Sequence, residues 1–324
     1  MILTRLKTIF LTLLFVCPLT FATAQAEVAT LTWTQLSPTA SPPARSYLAM
    51  TYDDSIGKVL LFGGFSDSGY LNDTWTFDGS NWTKINTAGA PPARAAAQMA
   101  YDRRTHRVVL FGGYDGHNDL GDTWIWNGRA STWTQASPAH SPKAVTGPMV
   151  FTDLDRRVSV YGGFDGNLYQ LTMWKWFGTD WKQLHPASVP TARSSSAVGV
   201  NFRAKQIVLY AGLGDVNPLN TWTYDGSTWT LQSPSVQPAT VYGASAAYDE
   251  NLDQVVLFGG ANGGVDQNAT WEWNGSDWSQ LSPTQSPGAR EGAGMVFDRA
   301  NGHMVIFGGQ FRGVPMSDTW ELTP

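Results

Sequence analysis

Arginine carries the first chemical signal in this chain. Pro42-Pro43-Ala44-Arg45, Pro91-Pro92-Ala93-Arg94, Pro190-Thr191-Ala192-Arg193 and Pro287-Gly288-Ala289-Arg290 are versions of one short segment. A guanidinium offers its donors as a planar fork, which suits a carboxylate or another anion. The same fork can instead brace a fold by pairing with a local aspartate. Glu291 directly follows Arg290. A carboxylate beside arginines can shuttle a proton, or it can be an ordinary surface ion-pair partner.

Other chemistries are poorly supplied. The one cysteine, Cys17, sits near the N-terminus, so the rest of the chain has no thiol nucleophile, disulfide or thiolate metal site. His106, His117, His140, His185 and His303 do not fall at metal-ligand spacing. No metal and no cofactor is expected. No serine elbow or phosphate-binding loop is present. Asp73, Asp122 and Asp318 each precede Thr-Trp and read as strand-end fasteners. Asp67, Asp115, Asp165 and Asp215 also recur, as solvated loop carboxylates or as cation ligands.

These residues ride on an internal repeat of roughly 49 residues. Gly-Gly closes an apolar run at Gly63-Gly64, Gly112-Gly113, Gly162-Gly163, Gly259-Gly260 and Gly308-Gly309, with a degenerate copy at Ala211-Gly212. Trp75, Trp124, Trp174, Trp222, Trp271 and Trp320 follow, and then Trp82, Trp133, Trp181, Trp229 and Trp278. Each copy reads as four short strands separated by turn residues. In the second copy these are 95–101, 107–111, 122–126 and 132–135. The second strand, as in Val108-Val109-Leu110-Phe111, is apolar at both parities, so both of its faces must be covered.

The sixth copy ends before its second tryptophan. Its missing strand stands at the other end of the chain: Trp33-Thr34-Gln35-Leu36 matches Trp278-Ser279-Gln280-Leu281. The expectation is therefore an all-β, six-bladed β-propeller, closed by strand 31–36 completing the last blade. In a closed ring Arg290, Arg45 and Arg94 come from three consecutive blades. They would form a cluster at one channel mouth, with Arg193 opposite. The second-to-third loops and inter-blade connections share that face, and variable loops on a rigid scaffold are the default place for binding.

Gly-Gly followed by Asp-Thr-Trp and a second Trp resembles the kelch family, which includes the propeller of galactose oxidase. The resemblance covers residues 31–324. It implies that Arg45, Arg94, Arg193 and Arg290 line a ligand pocket. It also implies a second pocket position directly after Gly-Gly, held here by Phe65, Tyr114, Phe164, Leu213, Ala261 and Gln310. Aromatic rings there could stack on a sugar or clasp a peptide. Copper-radical oxidase chemistry is excluded by the missing cysteine. The implied function is a non-catalytic binding module for a carbohydrate or protein ligand, acidic if the arginines are free. The alternative is a sugar mutarotase or epimerase resembling N-acetylneuraminate epimerase, with Glu291 as its catalytic carboxylate.

Bulk properties bound the setting. Residues 1–26 read as a secretion signal: Arg5 and Lys7, an apolar run, then Ala24-Gln25-Ala26. The propeller would occupy 27–324, outside the cytoplasm, periplasmic or extracellular. Removing Arg5 and Lys7 leaves 19 basic against 26 acidic residues, a net charge of −7, which argues against a nucleic-acid partner. No transmembrane segment is expected, and a monomer is.

Overall fold

A computed structural model describes residues 31–323 except 88, 215 and 216. The signal segment and Asp215 lie outside the described residues. Among the described residues there is no helix, and none that could cross a membrane. Six four-stranded antiparallel sheets form the blades. Blade 1 holds strands 49–53, 58–66, 69–77 and 82–85; blade 2 holds 98–102, 107–111, 123–127 and 132–135. Blades 3 to 5 repeat this order from Met149, Ala197 and Ser245. Blade 6 takes 294–298, 303–307 and 319–323 from the end of the chain and 32–36 from its start, with Trp33 opposite Leu322 and Gln35 opposite Trp320.

The first strands of consecutive blades touch around a central channel, and blade 6 touches blade 1. No blade has a core of its own. Each hydrophobic cluster lies between neighbours: Leu60 and Phe62 of blade 1 pack with Met99, Val108 and Leu110 of blade 2. This is why the second strands are apolar at both parities. The last-strand tryptophan repeats the contact around the ring. Trp133 meets Phe62 at 5.4 Å, Trp82 meets Phe307 at 5.0 Å and Trp33 meets Phe258 at 5.5 Å between ring centroids.

Those tryptophans also donate across the seam. The indole N–H of Trp33 reaches Thr270 Oγ1, Trp82 reaches Thr319, Trp133 reaches Thr74, Trp181 reaches Thr123 and Trp278 reaches Thr221, at 2.8–3.0 Å. In blade 3 the matching position is Met173, and the facing Trp229 indole has no partner.

The glycine pairs weld blades through backbone. Gly64 N–H donates to the Arg94 carbonyl of the next blade at 2.9 Å, and Gly309 N–H donates to Arg45 across the closure at 2.9 Å. Gly63 has φ 62°, and a Cβ there would stand 2.7 Å from the Arg94 carbonyl oxygen. A side chain at that position is excluded by both conformation and space.

Candidate functional site

The loop-face mouth of the channel is a ring of main chain. Tyr47 N–H donates to Gly292 O, Gly292 to Gly243, Gly243 to Ser195, Ser195 to Gly147, Gly147 to Ala96, and Ala96 back to Tyr47, at 2.7–3.2 Å. Each residue donates to one neighbouring blade and accepts from the other. All six have positive φ, between 51° and 67°. Two positions earlier in each blade stands the arginine, or Val145 and Val241 in blades 3 and 5.

The arginines do not open onto this mouth. Arg45, Arg94, Arg193 and Arg290 are at most 2 % exposed. Arg45 makes a two-pronged pair with Asp73, Nη1–Oδ1 2.6 Å and Nη2–Oδ2 2.9 Å, and further bonds to the Gly63 and Pro43 carbonyls. Arg94 holds Asp122 in the same way, at 2.5 and 2.8 Å, and Arg290 holds Asp318 at 2.7 and 2.8 Å. The second carboxylate oxygen also accepts the indole N–H of Trp75, Trp124 or Trp320. Arg193 is turned into its own blade, donating to Ala211 O, Thr191 O and Thr191 Oγ1. The expected arginine-lined anion pocket is therefore corrected: these guanidiniums spend their forks inside the blades, and the acidic-sugar pocket loses its cations.

Burial alone would raise the Asp73, Asp122 and Asp318 carboxyls. The hydrogen bonds and charge of the paired arginine, with the indole, outweigh burial and hold them below the usual carboxylate range. The pairing has a correlate in the sequence, although the spacing alone does not say which way the guanidinium turns. Arginine and aspartate stand 28 residues apart in blades 1, 2 and 6. Blades 3 and 5 carry Val145 with Thr172 and Val241 with Ala269, lacking both partners together.

Of the residues after Gly-Gly, Phe65, Tyr114, Phe164, Leu213 and Gln310 are at least partly exposed on the loop face, whereas Ala261 is buried. Phe65 is 38 % exposed and packs edge-on to Tyr70 at 5.1 Å. Tyr70 bridges to Tyr114 of blade 2 at 5.9 Å. Phe164 of blade 3 packs on Tyr169 at 4.9 Å. The result is an aromatic arc over blades 1 to 3. Tyr70 and Tyr169 escape the repeat pattern because they sit in its variable loops.

Glu291 and Gln310 lie away from that arc, where blades 5, 6 and 1 meet. Gln310 Nε2 donates to Glu291 Oε1 at 2.9 Å, and Ser46 Oγ donates to Gln310 Oε1 at 3.0 Å. Glu291 Oε2 is buried without a hydrogen-bond partner. Tyr47 stands beside it. Burial, then the Glu291 carboxylate, push the Tyr47 hydroxyl far above its ordinary value. Burial, Glu291 and Asp266 also raise Tyr242. Both phenols therefore stay protonated donors. Tyr47 was visible as an exception, since Ala96, Gly147, Ser195, Gly243 and Gly292 fill its place elsewhere.

With the arginines removed from the face, its charge reverses. Among the described residues its loops carry Asp67, Asp115, Asp119, Asp165, Asp266 and Glu291, against Lys143 and Arg312. Burial and the neighbouring Asp165 raise Asp119. Asp115 and Asp165 cap their own turns, each accepting two backbone N–H bonds. No group of three or more potential ligands for a metal occurs among the described residues.

A family model described as KLHDC2/KLHL20/DRC7 Kelch-repeats domain matches residues 23–177. No curated protein matches the chain. The matched segment spans the closing strand, blades 1 and 2 and the first three strands of blade 3, and the same sheet order and glycine weld continue around blades 4 to 6. The described chain is a six-bladed β-propeller whose first half matches the kelch-repeat family.

Proposed function

We propose that this propeller is an exported, non-catalytic binding module that grips a neutral or basic protein segment on its loop face. One observation carries the reading. Of the nine large apolar residues that are exposed among the described residues, Phe65, Leu168, Leu171, Val265, Phe311 and Val314 project from second-to-third loops on this one face. Apolar groups gathered on one side of a disc mark a contact surface for another protein. Kelch propellers in general bind protein partners, which supports the same choice. The carboxylates around the rings favour a basic partner over the acidic ligand expected from the arginines. Export rests on the leader-like residues 1–26.

The epimerase reading keeps Glu291 but loses the cations that would hold an acidic sugar. A carbohydrate ligand keeps the aromatic arc, so it enters the test. Purified wild-type protein and a Phe65→Ser/Phe311→Ser/Val314→Ser variant of matched thermal stability would be immobilised. Both would be exposed to extracellular protein extract and to a glycan array. Proteins retained by the wild type and lost from the variant are expected. Equal retention by both, or binding to glycans alone, would sink the proposal.

A further inference from the structure

The opposite face of the disc is built from the first-to-second and third-to-fourth turns. Its inner turns share one backbone design. Gly57, His106, Arg156, Lys205, Asp253 and Gly302 occupy the same tip position in blades 1 to 6, all with φ between 52° and 73°. Glycine adopts that conformation freely, and other residues do so at a cost. Blades 6 and 1 use glycine. Blades 2, 3 and 4, which are contiguous, place an imidazole, a guanidinium and an ammonium there, and all three are exposed. At these six tips, wherever glycine is absent, the positive φ falls on a nitrogen-bearing side chain or an aspartate.

Further cations surround these tips. Arg104 and Arg129 are exposed, and Arg107 is half-buried. Arg104 is held by the Asp155 carbonyl and Arg107 by the His106 carbonyl, at 3.0 and 2.8 Å, so neither is neutralised. In this sector Asp102 and Asp225 accept bonds only from their own turns, with Asp102 Oδ2 buried and unpartnered, and further carboxylates of the face are ion-paired. Asp54 and Glu250 pair with Arg299, Asp155 with Lys175, and Asp253 with Arg203. Charge left over in the sector of blades 2 to 4 is positive, although the whole chain carries −5. His106, Arg107, Asn127 and Arg129 also line a shallow recess between the two turns of blade 2.

We propose that this turn-face sector is a second docking surface, for an acidic polypeptide segment that seats a carboxylate side chain in the blade 2 recess. It is separate from the loop-face site and does not depend on it. A forked donor set in a recess fits a carboxylate, and unpaired cations across three blades fit a run of them. A lipid surface fits less well. Phe177, the exposed ring of this sector, lies under Arg157 at 4.6 Å, and apolar side chains that could enter a bilayer project from the other face.

The turn geometry supplies a clean test. Arg156→Gly and Lys205→Gly install the residue that blades 1 and 6 already use, so they remove charge while relieving the backbone. Arg129→Ser empties one side of the recess. Binding of a fluorescein-labelled peptide of alternating Glu and Ser would be followed by anisotropy at low and high salt. A Gln/Ser peptide, phosphatidylserine–phosphatidylcholine vesicles and a single-stranded oligonucleotide would be run in parallel. Salt-sensitive binding of the Glu peptide is expected, with affinity about tenfold weaker in the triple variant and thermal stability equal or higher. Equal affinity for the Gln peptide, no loss in the variant, or tighter binding to vesicles or oligonucleotide would overturn the proposal.

Discussion

Asp73, Asp122 and Asp318 each close a buried arginine fork and accept a tryptophan N–H at the same time. Removing one such carboxylate strands a guanidinium that water cannot reach. Asp73→Asn is expected to cost about 3–5 kcal/mol, read as a lower midpoint in urea denaturation. Their pH dependence follows from direction. The folded carboxyls lie below the unfolded value of about 3.9, so the pairs contribute fully above roughly pH 4. That contribution is lost as pH falls through the folded values below it. An Asp73→Asn protein should therefore show a shallower loss of stability between neutral pH and pH 3 than the wild type. If the acid limbs run parallel, the carboxylate is not held low.

Strands meet across seams, and each seam carries a tryptophan. Thr221 accepts the Trp278 indole at 2.9 Å inside the blade 4–5 seam. Thr221→Val keeps the shape and orphans the N–H, which should cost about 1–3 kcal/mol in equilibrium unfolding. The blade 3–4 seam already lacks the bond, because Met173 replaces threonine and leaves Trp229 without a partner. Substituting Met173 by leucine should then cost less than Thr221→Val, since no hydrogen bond is at stake. The four-strand repeat, the buried second strand and the Trp positions were all legible in the sequence, because period and turn residues are local properties. The indole–threonine bond was not legible, because it joins positions 57–59 residues apart in the inner seams and 237 apart at the closure.

The whole molecule is a ring held by main chain and by one borrowed strand. Residues 32–36 cover the edge of 319–323, and Trp33 is fully buried against blades 5 and 6. A chain starting at residue 37 would leave that edge open and blade 6 a strand short. It should melt at a clearly lower temperature and associate in a concentration-dependent way by light scattering. A monomeric, equally stable truncation would show that closure does not depend on this strand. The disc also has two chemically different faces. The loop face combines exposed apolar groups with carboxylates, and the turn face of blades 2 to 4 carries unpaired cations.

The six-bladed closed ring follows from the sequence by itself, through repeat phase, turn chemistry and the matching of the Trp33 segment to that of Trp278. The candidate site followed only in part. Phe65, Tyr114, Phe164, Gln310 and Glu291 reach the loop face as their repeat position implies. The four arginines do not. Whether a guanidinium faces a ligand or its own blade depends on which carboxylate lies within reach, and Asp73, Asp122 and Asp318 come within 2.5–2.9 Å only once the strands have paired. A forked cation and a forked anion brought together out of water satisfy one another before any ligand arrives. That contact, made by tertiary structure, turned the arginine sector from a presumed pocket into the bracing of the ring.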